Sequence, residues 1–326
     1  MRKVWSYPLL LVVALASLGG CSRPRRAEPA NAPFGPSVRA RRLLCPDVGD
    51  QVCLAACPAT LPDADHIECL LQLRFGSEPE TLALARALYF DKKTPIGVEM
   101  HTSVDGYRGE RVALFPALPV GEHRHHLEWL NAGLERFDAF FERLNERASR
   151  PIAFEPRPQG FVFFTTDGPS YPSAYCSDGL IAYNLLGPLH AERDEMHDTL
   201  FHELFHINDA RHGQPSYWSV QKLDGLYQRI LTRCADDHEC LERYSPHPTI
   251  VPQGTFYAFD HRTGDVREYA AELALRYFRE HEAVLAGTPL AQEPFKCQSE
   301  ENALSWREVV DEFFGGVDLI PECPNL

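Results

Sequence analysis

The sequence lacks three features, and each absence removes a class of protein. It has no excess of positive charge: the net charge is −14, so nucleic acid is not an expected partner. It has no repeat at a fixed period, which argues against solenoids and propellers. Its N-terminal apolar run, residues 8–18, is too short to span a bilayer. What remains is an acidic chain of 326 residues, 44% of them hydrophobic, which is enough for a large core.

The N-terminal segment has the layout of a secretory signal. Basic residues at positions 2 and 3 precede the apolar run, which closes on Leu18-Gly19-Gly20-Cys21. This ending is similar to a bacterial lipobox, in which the cysteine becomes the acylated first residue of the mature chain. We therefore expect residues 1–20 to be removed and Cys21 to be lipidated, although an ordinary signal peptide with a nearby cysteine is an alternative. Ser22 after the cysteine favours the outer membrane, facing the periplasm or the cell surface.

Composition divides the rest of the chain into three parts. Residues 21–44 are rich in arginine and proline and are predicted to form a flexible tether. This basic stretch either is a solvated spacer, which we favour, or lies on anionic headgroups. Residues 45–76 contain closely spaced cysteines and are predicted to be a Cys-rich lead-in. Residues 77–326 are predicted to form one large domain.

Ten cysteines in an exported chain predict disulfides. If Cys21 carries lipid, nine remain, and their connectivity cannot be deduced from the sequence. The four between residues 45 and 69 could form two bridges. Elimination leaves Cys176 as an unpaired thiol, which we expect to be buried and inert rather than reactive. The natural local pairs in the second half are Cys234 with Cys240 and Cys297 with Cys323.

Hydrophobic periodicity predicts an α+β fold with a small mixed sheet and a mainly helical C-terminal half. Alternating or continuous apolar runs predict strands over 95–104, 111–115, 161–165 and 180–184. Helical spacing is present over 81–90, 127–144, 219–233, 266–281 and 302–314. One further helix follows the last strand and carries the main chemical motif.

That motif is His202-Glu203-Leu204-Phe205-His206. Two histidines four residues apart stand one turn apart on the same face of a helix, so both imidazoles can hold one zinc ion. Glu203 projects beside the pair, where it can activate a zinc-bound water as a general base without being a ligand. Apolar neighbours predict that the helix is buried. The alternative is a structural helix whose histidines are satisfied by core carboxylates.

Zinc in such a site needs a third protein ligand, and two residues compete for the role. His212 has the spacing of the metzincin family. However, Asp209 stands where metzincins usually have a glycine, and the three methionines, Met1, Met100 and Met196, all precede the motif, so no methionine turn can follow it. These departures argue against His212 and leave it as the alternative third ligand.

The favoured third ligand is Glu268, in Glu268-Tyr269-Ala270-Ala271-Glu272 on a later helix. This segment resembles the gluzincin pattern, and most closely that of lethal-factor-like metallopeptidases. The resemblance covers only the two helices. It implies a zincin-like domain over residues 77–326 in which Glu268 ligates zinc and Glu272 hydrogen-bonds a ligand histidine. Asp209 is predicted to support the site from the motif helix in a similar way. Solvent-facing glutamates are the alternative.

The same resemblance implies a tyrosine that stabilises the oxyanion of the tetrahedral intermediate. Tyr257 is the candidate, but its interval to Glu268 is longer than in the family, so the nearer His261 is an alternative. Tyr257 could equally be a core aromatic residue. Asp265 could cap the helix through Glu268 and so compete for its carboxylate.

Together these features predict an exported, lipid-anchored zinc metalloendopeptidase that acts on a peptide or protein substrate. Its zinc ligands would be His202, His206 and Glu268, with Glu203 and Tyr257 as catalytic residues. An alternative from another class is a non-catalytic zincin-fold envelope lipoprotein that binds metal or a protein partner. Zinc-dependent hydrolysis of a non-peptide bond is a third possibility.

Overall fold

The computed structural model describes residues 35–46, 49–106, 110–251, 254–260 and 265–324. The predicted signal segment, Cys21, Ser22 and the alternative His261 lie outside these residues. Among the helices of the described ranges, none combines the length and the apolar character needed to cross a membrane.

The described chain has an α+β fold, as the periodicity predicts. Its strands are β1 Ile96–Val98, β2 Thr102–Asp105, β3 Arg111–Pro116, β4 Gly160–Thr165, β5 Ala174–Ser177 and β6 Leu180–Asn184. Its α-helices are α1 Pro36–Leu44, α2 Gly49–Ala56, α3 Asp63–Phe75, α4 Pro79–Arg86, α5 His125–Asn145, α6 Arg193–His212, α7 Trp218–Lys222, α8 Asp224–Cys234, α9 His238–Glu242, α10 Val266–Ala286 and α11 Glu300–Phe313. All strands precede α6, and the chain after it is mainly helical.

The strands form one mixed sheet in the order β2-β3-β4-β6-β5, with β1 parallel to β4. Strand β4 also runs parallel to β6 and is covered on both faces. Phe161 and Phe163 enter the main core, whereas Val162 and Phe164 join Leu43 in a smaller cluster. Burial on both faces explains why β4 reads as a continuous apolar run rather than an alternating one. Strand β5 follows the turn-rich stretch that begins with Asp167-Gly168-Pro169, and the sequence did not predict a strand there.

Helix α6 carries the His-Glu-x-x-His motif through the centre of the molecule. It packs against α10, α5, α7 and β5. Residues 199–209 are all buried, so the expectation of a buried motif helix is confirmed. The ring of Phe201 stacks on Phe278 of α10, with centroids 4.5 Å apart. Acidic residues in the first turn and Arg211 and His212 in the last complement the helix dipole.

The predicted tether ends earlier than expected, because residues 36–44 form α1. This helix buries Ala40, Leu43 and Leu44 and packs on α3 and β1. The contact with β1 is close enough that a Cβ at Gly97 would fall on the backbone of Leu43. The apolar residues of 36–44 were too few to suggest a core segment, and their partners lie far along the chain. The Cys-rich lead-in likewise joins the main core, through residues such as Phe75.

Four disulfides lie within the described residues. They join Cys45 to Cys53, Cys57 to Cys69, Cys234 to Cys240 and Cys297 to Cys323, so both predicted local pairs of the second half are confirmed. The prediction for Cys176 is wrong, because this buried cysteine is also disulfide-bonded. Elimination by sequence position failed here because disulfide connectivity depends on tertiary contacts that the spacing of cysteines does not show.

Candidate metal centre

The centre lies where α6 meets α10. Helix α6 presents His202 and His206 one turn apart, and α10 presents Glu268 from its first turn. All three side chains are buried, at 2%, 1% and 0% exposure. Asp265 caps α10 by accepting from the backbone N–H of Arg267 and pairs with the Arg267 guanidinium. The competition that Asp265 could pose for Glu268 therefore does not arise, and the carboxylate of Glu268 turns to the histidines.

Three ligand atoms converge at this point. Glu268 Oε2 lies 3.0 Å from His202 Nε2 and 3.3 Å from His206 Nε2, and the two nitrogens are 2.9 Å apart. In the described part of the chain these residues form the one histidine–carboxylate group suited to a metal ion. Atoms bonded to a tetrahedral zinc at about 2.0–2.1 Å stand about 3.3–3.4 Å from one another, close to the observed spacings. The donor set can therefore hold a metal ion.

The charge balance of the cluster also favours a cation. Glu203, Glu268 and Glu272 bring three carboxyl groups into the same buried region as two histidines. Buried carboxylates need compensating positive charge. Burial raises the pKa of Glu268, but His206 and His202 outweigh it and hold the pKa well below its usual range. The anionic form of Glu268 is thus the one its surroundings stabilise.

Behind the convergent atoms, Glu272 supports His202. Its Oε1 lies 3.4 Å from Nδ1 of His202, on the side of the ring opposite Nε2. Burial lowers the pKa of His202, but the contacts with Glu268 and Glu272 outweigh it and raise the pKa to about 10. A metal ion at this point would have to displace the proton on Nε2, whereas the hydrogen on Nδ1 could stay turned toward Glu272. The structure thus places Glu272 beside His202, the histidine that the resemblance implies is a zinc ligand.

Glu203 lies between the two histidines in sequence and is 2% exposed. Burial raises its pKa, and the nearby Glu268 adds to this, while His206 and His202 oppose it. A carboxyl group with a raised pKa can both accept and return a proton near neutral pH. Its surroundings are therefore compatible with the general-base role predicted from the motif.

Tyr257 reaches the same carboxylate oxygen as the histidines. It lies in a short 3-10 helix, Tyr257–Phe259, and its hydroxyl donates to Glu268 Oε2 at 2.9 Å. The side chain is 1% exposed and packs on Val251. The structure therefore brings this predicted residue to the cluster and supplies a hydrogen-bond donor there.

Two predicted residues lie apart from the convergent atoms. His212, the alternative third ligand, bonds through Nδ1 to Glu312 at 2.7 Å and packs on Phe313 of α11. Asp209 accepts from the backbone N–H and the hydroxyl of Ser219, both at 2.7 Å. Asp209 thus ties α7 to α6, and among the described residues no hydrogen bond joins it to a ligand histidine.

Sequence reasoning missed three polar residues around Glu272. His247 lies in the segment after α9, with Nδ1 at 3.6 Å from Glu272 Oε2. Arg279 of α10 contacts His247 and pairs with Asp198 of α6. Asp198 precedes His202 by one helical turn, and this spacing was the one sequence signal that could have placed Asp198 near the cluster. The position of His247 depends on a long connection and has no periodic signature.

Comparison of the chain with protein-family models, with curated proteins and with solved structures finds no match. The chemistry assigned to the centre therefore depends on its own residues.

Proposed function

We propose that this protein is a zinc metallopeptidase of the gluzincin type, resembling lethal-factor-like metallopeptidases. The observation that carries the proposal is the convergence of the buried atoms His202 Nε2, His206 Nε2 and Glu268 Oε2, two of them on the helix that also carries the buried Glu203. Two imidazoles and one carboxylate are the protein ligands of several catalytic zinc sites, which leave one position open. Ligand type and spacing favour zinc over calcium or magnesium, which prefer oxygen ligands.

A zinc ion held by His202, His206 and Glu268 would polarise a substrate carbonyl and lower the pKa of a water molecule. The protein supplies the proton transfers. The carboxylate of Glu203 accepts the proton of the attacking water and returns it to the amine that leaves when the peptide bond breaks. Its raised pKa keeps the proton available for the second transfer.

Tyr257 and Glu272 complete the proposed machinery. The hydroxyl of Tyr257, placed at the cluster by its bond to Glu268, is a donor for the negative charge that develops on the carbonyl oxygen. Glu272 keeps Nδ1 of His202 engaged, so that Nε2 faces the cluster. The role of Tyr257 requires its hydroxyl to turn its one hydrogen from Glu268 to the carbonyl oxygen.

The Glu203→Gln variant tests the general-base assignment. We expect it to bind zinc like the wild type and to lose hydrolysis of a generic unfolded protein, by at least about 100-fold, because glutamine cannot take up the proton. Glu195→Gln on the same helix is the matched control and should retain both properties.

Persistent hydrolysis in Glu203→Gln would show that the base is another group. If the wild type binds zinc but shows no chelator-sensitive cleavage of peptides, the non-catalytic envelope lipoprotein that binds metal or a partner is the better account. Cleavage of a non-peptide bond in a substrate screen would favour the third possibility.

We also propose that the protein acts in the bacterial envelope, anchored by lipid at Cys21 and facing the periplasm or the cell surface at the outer membrane. The lipobox-like Leu18-Gly19-Gly20-Cys21 supports this. Acylation occupies the sulfur of Cys21, so mass analysis of the N-terminal peptide should find lipid there. Because Cys176 is disulfide-bonded, recovery of a peptide that joins Cys21 to Cys176 would contradict the anchor.

A further inference from the structure

We propose that His247, held by Arg279 and Asp198, is a positioning residue that orients Glu272 and through it the zinc ligand His202. These five residues are called the orienting ring below. The inference rests on the proposed zinc site, but its test does not depend on peptidase activity.

The ring starts and ends on α6. Asp198 pairs with the Arg279 guanidinium through two hydrogen bonds, one of 3.0 Å. Arg279 Nη1 lies 3.2 Å from Nε2 of His247, and Nδ1 of His247 lies 3.6 Å from Glu272 Oε2. The other oxygen of Glu272 faces His202, one turn after Asp198. Helices α6 and α10 are therefore linked twice, once at the surface and once beside the metal ligands.

Arg279 determines which nitrogen of His247 carries hydrogen. A guanidinium can only donate, so Nε2 of His247 must accept. The hydrogen of the neutral ring then lies on Nδ1, which also meets the hydroxyl of Thr249 at 2.6 Å. In this tautomer the Nδ1–H faces the Thr249 hydroxyl at 2.6 Å and, at the longer distance of 3.6 Å, Glu272 Oε2. With Arg279 absent, the ring could present a lone pair to the carboxylate instead.

Glu272 depends on this contact because it has few others. The carboxylate is 1% exposed, and among the described residues its oxygens make no conventional hydrogen bond. Its nearest described partners are Nδ1 of His202 at 3.4 Å and Nδ1 of His247 at 3.6 Å. A buried carboxylate with two partners takes its orientation from both of them. Loss of the His247 contact should therefore leave the carboxylate of Glu272 less well oriented toward His202.

The segment that carries His247 also holds the proposed oxyanion donor. The backbone carbonyl of Thr249 accepts from the N–H of Tyr257 at 2.8 Å. The connection between α9 and the Tyr257 turn thus positions two side chains: His247 beside Glu272, and Tyr257 beside Glu268. His247 is 20% exposed on its side chain and Arg279 42%, so substitutions at this end of the ring do not open the core.

Three variants of His247 separate orientation from folding. The amide nitrogen of asparagine can replace the Nδ1 donor, whereas the amide of glutamine reaches the Nε2 position beside Arg279. We expect His247→Ala and His247→Gln to weaken zinc binding about tenfold in competition with a chelator, and His247→Asn to stay within about threefold of the wild type. The matched control is His238→Ala, on α9, which should bind zinc like the wild type.

Zinc affinity and thermal stability of the zinc-free proteins decide the outcome. Rescue by asparagine but not by glutamine, at unchanged stability, supports the orienting ring. Wild-type zinc affinity in His247→Ala would overturn it, as would an equal loss of affinity and stability in all three variants. A wild-type protein that binds no zinc would overturn the ring together with the proposed function. A wild-type protein that binds zinc but cleaves no peptide would overturn the proposed peptidase function and leave the orienting ring untouched.

Discussion

At the scale of single residues, one oxygen atom is the meeting point of the centre. Oε2 of Glu268 contacts a nitrogen of His202, a nitrogen of His206 and the hydroxyl of Tyr257, all within 3.3 Å. A carboxylate with no exposure can remain ionised only with such partners. The same contacts that stabilise the anion place its Oε2 beside the Nε2 atoms of both histidines.

Removal of the Tyr257 hydroxyl tests its part in this arrangement. We expect Tyr257→Phe to retain zinc and to lower kcat by about 100-fold or more, because a donor to the developing oxyanion is lost. The matched control is Tyr277→Phe, whose hydroxyl donates to Val317 at the C-terminal segment. It should affect stability rather than kcat. Unchanged turnover in Tyr257→Phe would assign the tyrosine to packing.

At the scale of elements, α6 is held in place where its last turn meets α7. Asp209 bonds to Ser219, and Gly213 lies between them at the end of α6. A Cβ at Gly213 would fall on backbone atoms of Tyr217 and Trp218. The absence of a side chain is therefore what lets the chain turn back and cover the buried Asp209.

A pair of glycine substitutions tests this packing. We expect Gly213→Ala to lower the free energy of unfolding by about 1–3 kcal/mol, because backbone must move to admit the methyl group. Gly225→Ala is the matched control, since a Cβ there meets nothing within 4 Å and the position lies in α8. It should raise stability by up to about 1 kcal/mol. Equal effects of the two substitutions, measured by urea unfolding, would contradict the close contact.

At the scale of the whole molecule, buried neutral histidines make folding depend on pH. Burial lowers the pKa of His190 to about 4, while its bond to the carbonyl of Asn184 partly opposes the shift. Burial and the nearby His125 lower the pKa of His126 to about 3. Both rings contact Tyr183 between the sheet and α5. In the unfolded chain the pKa of a histidine is about 6.5. Below pH 6.5 these two histidines therefore bind protons in the unfolded chain but not in the folded one.

The free energy of unfolding should therefore fall as the pH drops from about 6.5 to about 4. Each histidine contributes up to about 1.4 kcal/mol per pH unit in this window. Urea unfolding at pH 7, 6 and 5 measures the slope. His190→Phe keeps an aromatic ring beside Tyr183 but cannot titrate, so its slope should be smaller. An identical slope in wild type and variant would show that His190 is protonated in the folded state.

The sequence predicted those features of the molecule that depend on residues close together in the chain. The four-residue interval of His202 and His206 and the apolar sides of α6 specify a buried helix with two donors. Glu268 was chosen because no methionine follows His212, and the structure brings Glu268, not His212, to the histidines. What escaped prediction depends on distant contacts. Residues 36–44 form a helix only against α3 and β1, and β5 pairs with β6 inside a turn-rich stretch.

The most direct test of the central claim is the zinc content of purified protein after dialysis. The wild type should contain about one zinc ion per chain, and His202→Ala and Glu268→Ala should lose most of it, because each removes one of three protein ligands. His212→Ala, which removes the alternative ligand, should keep its zinc. Undiminished zinc in both His202→Ala and Glu268→Ala, or loss of zinc in His212→Ala alone, would contradict the assignment.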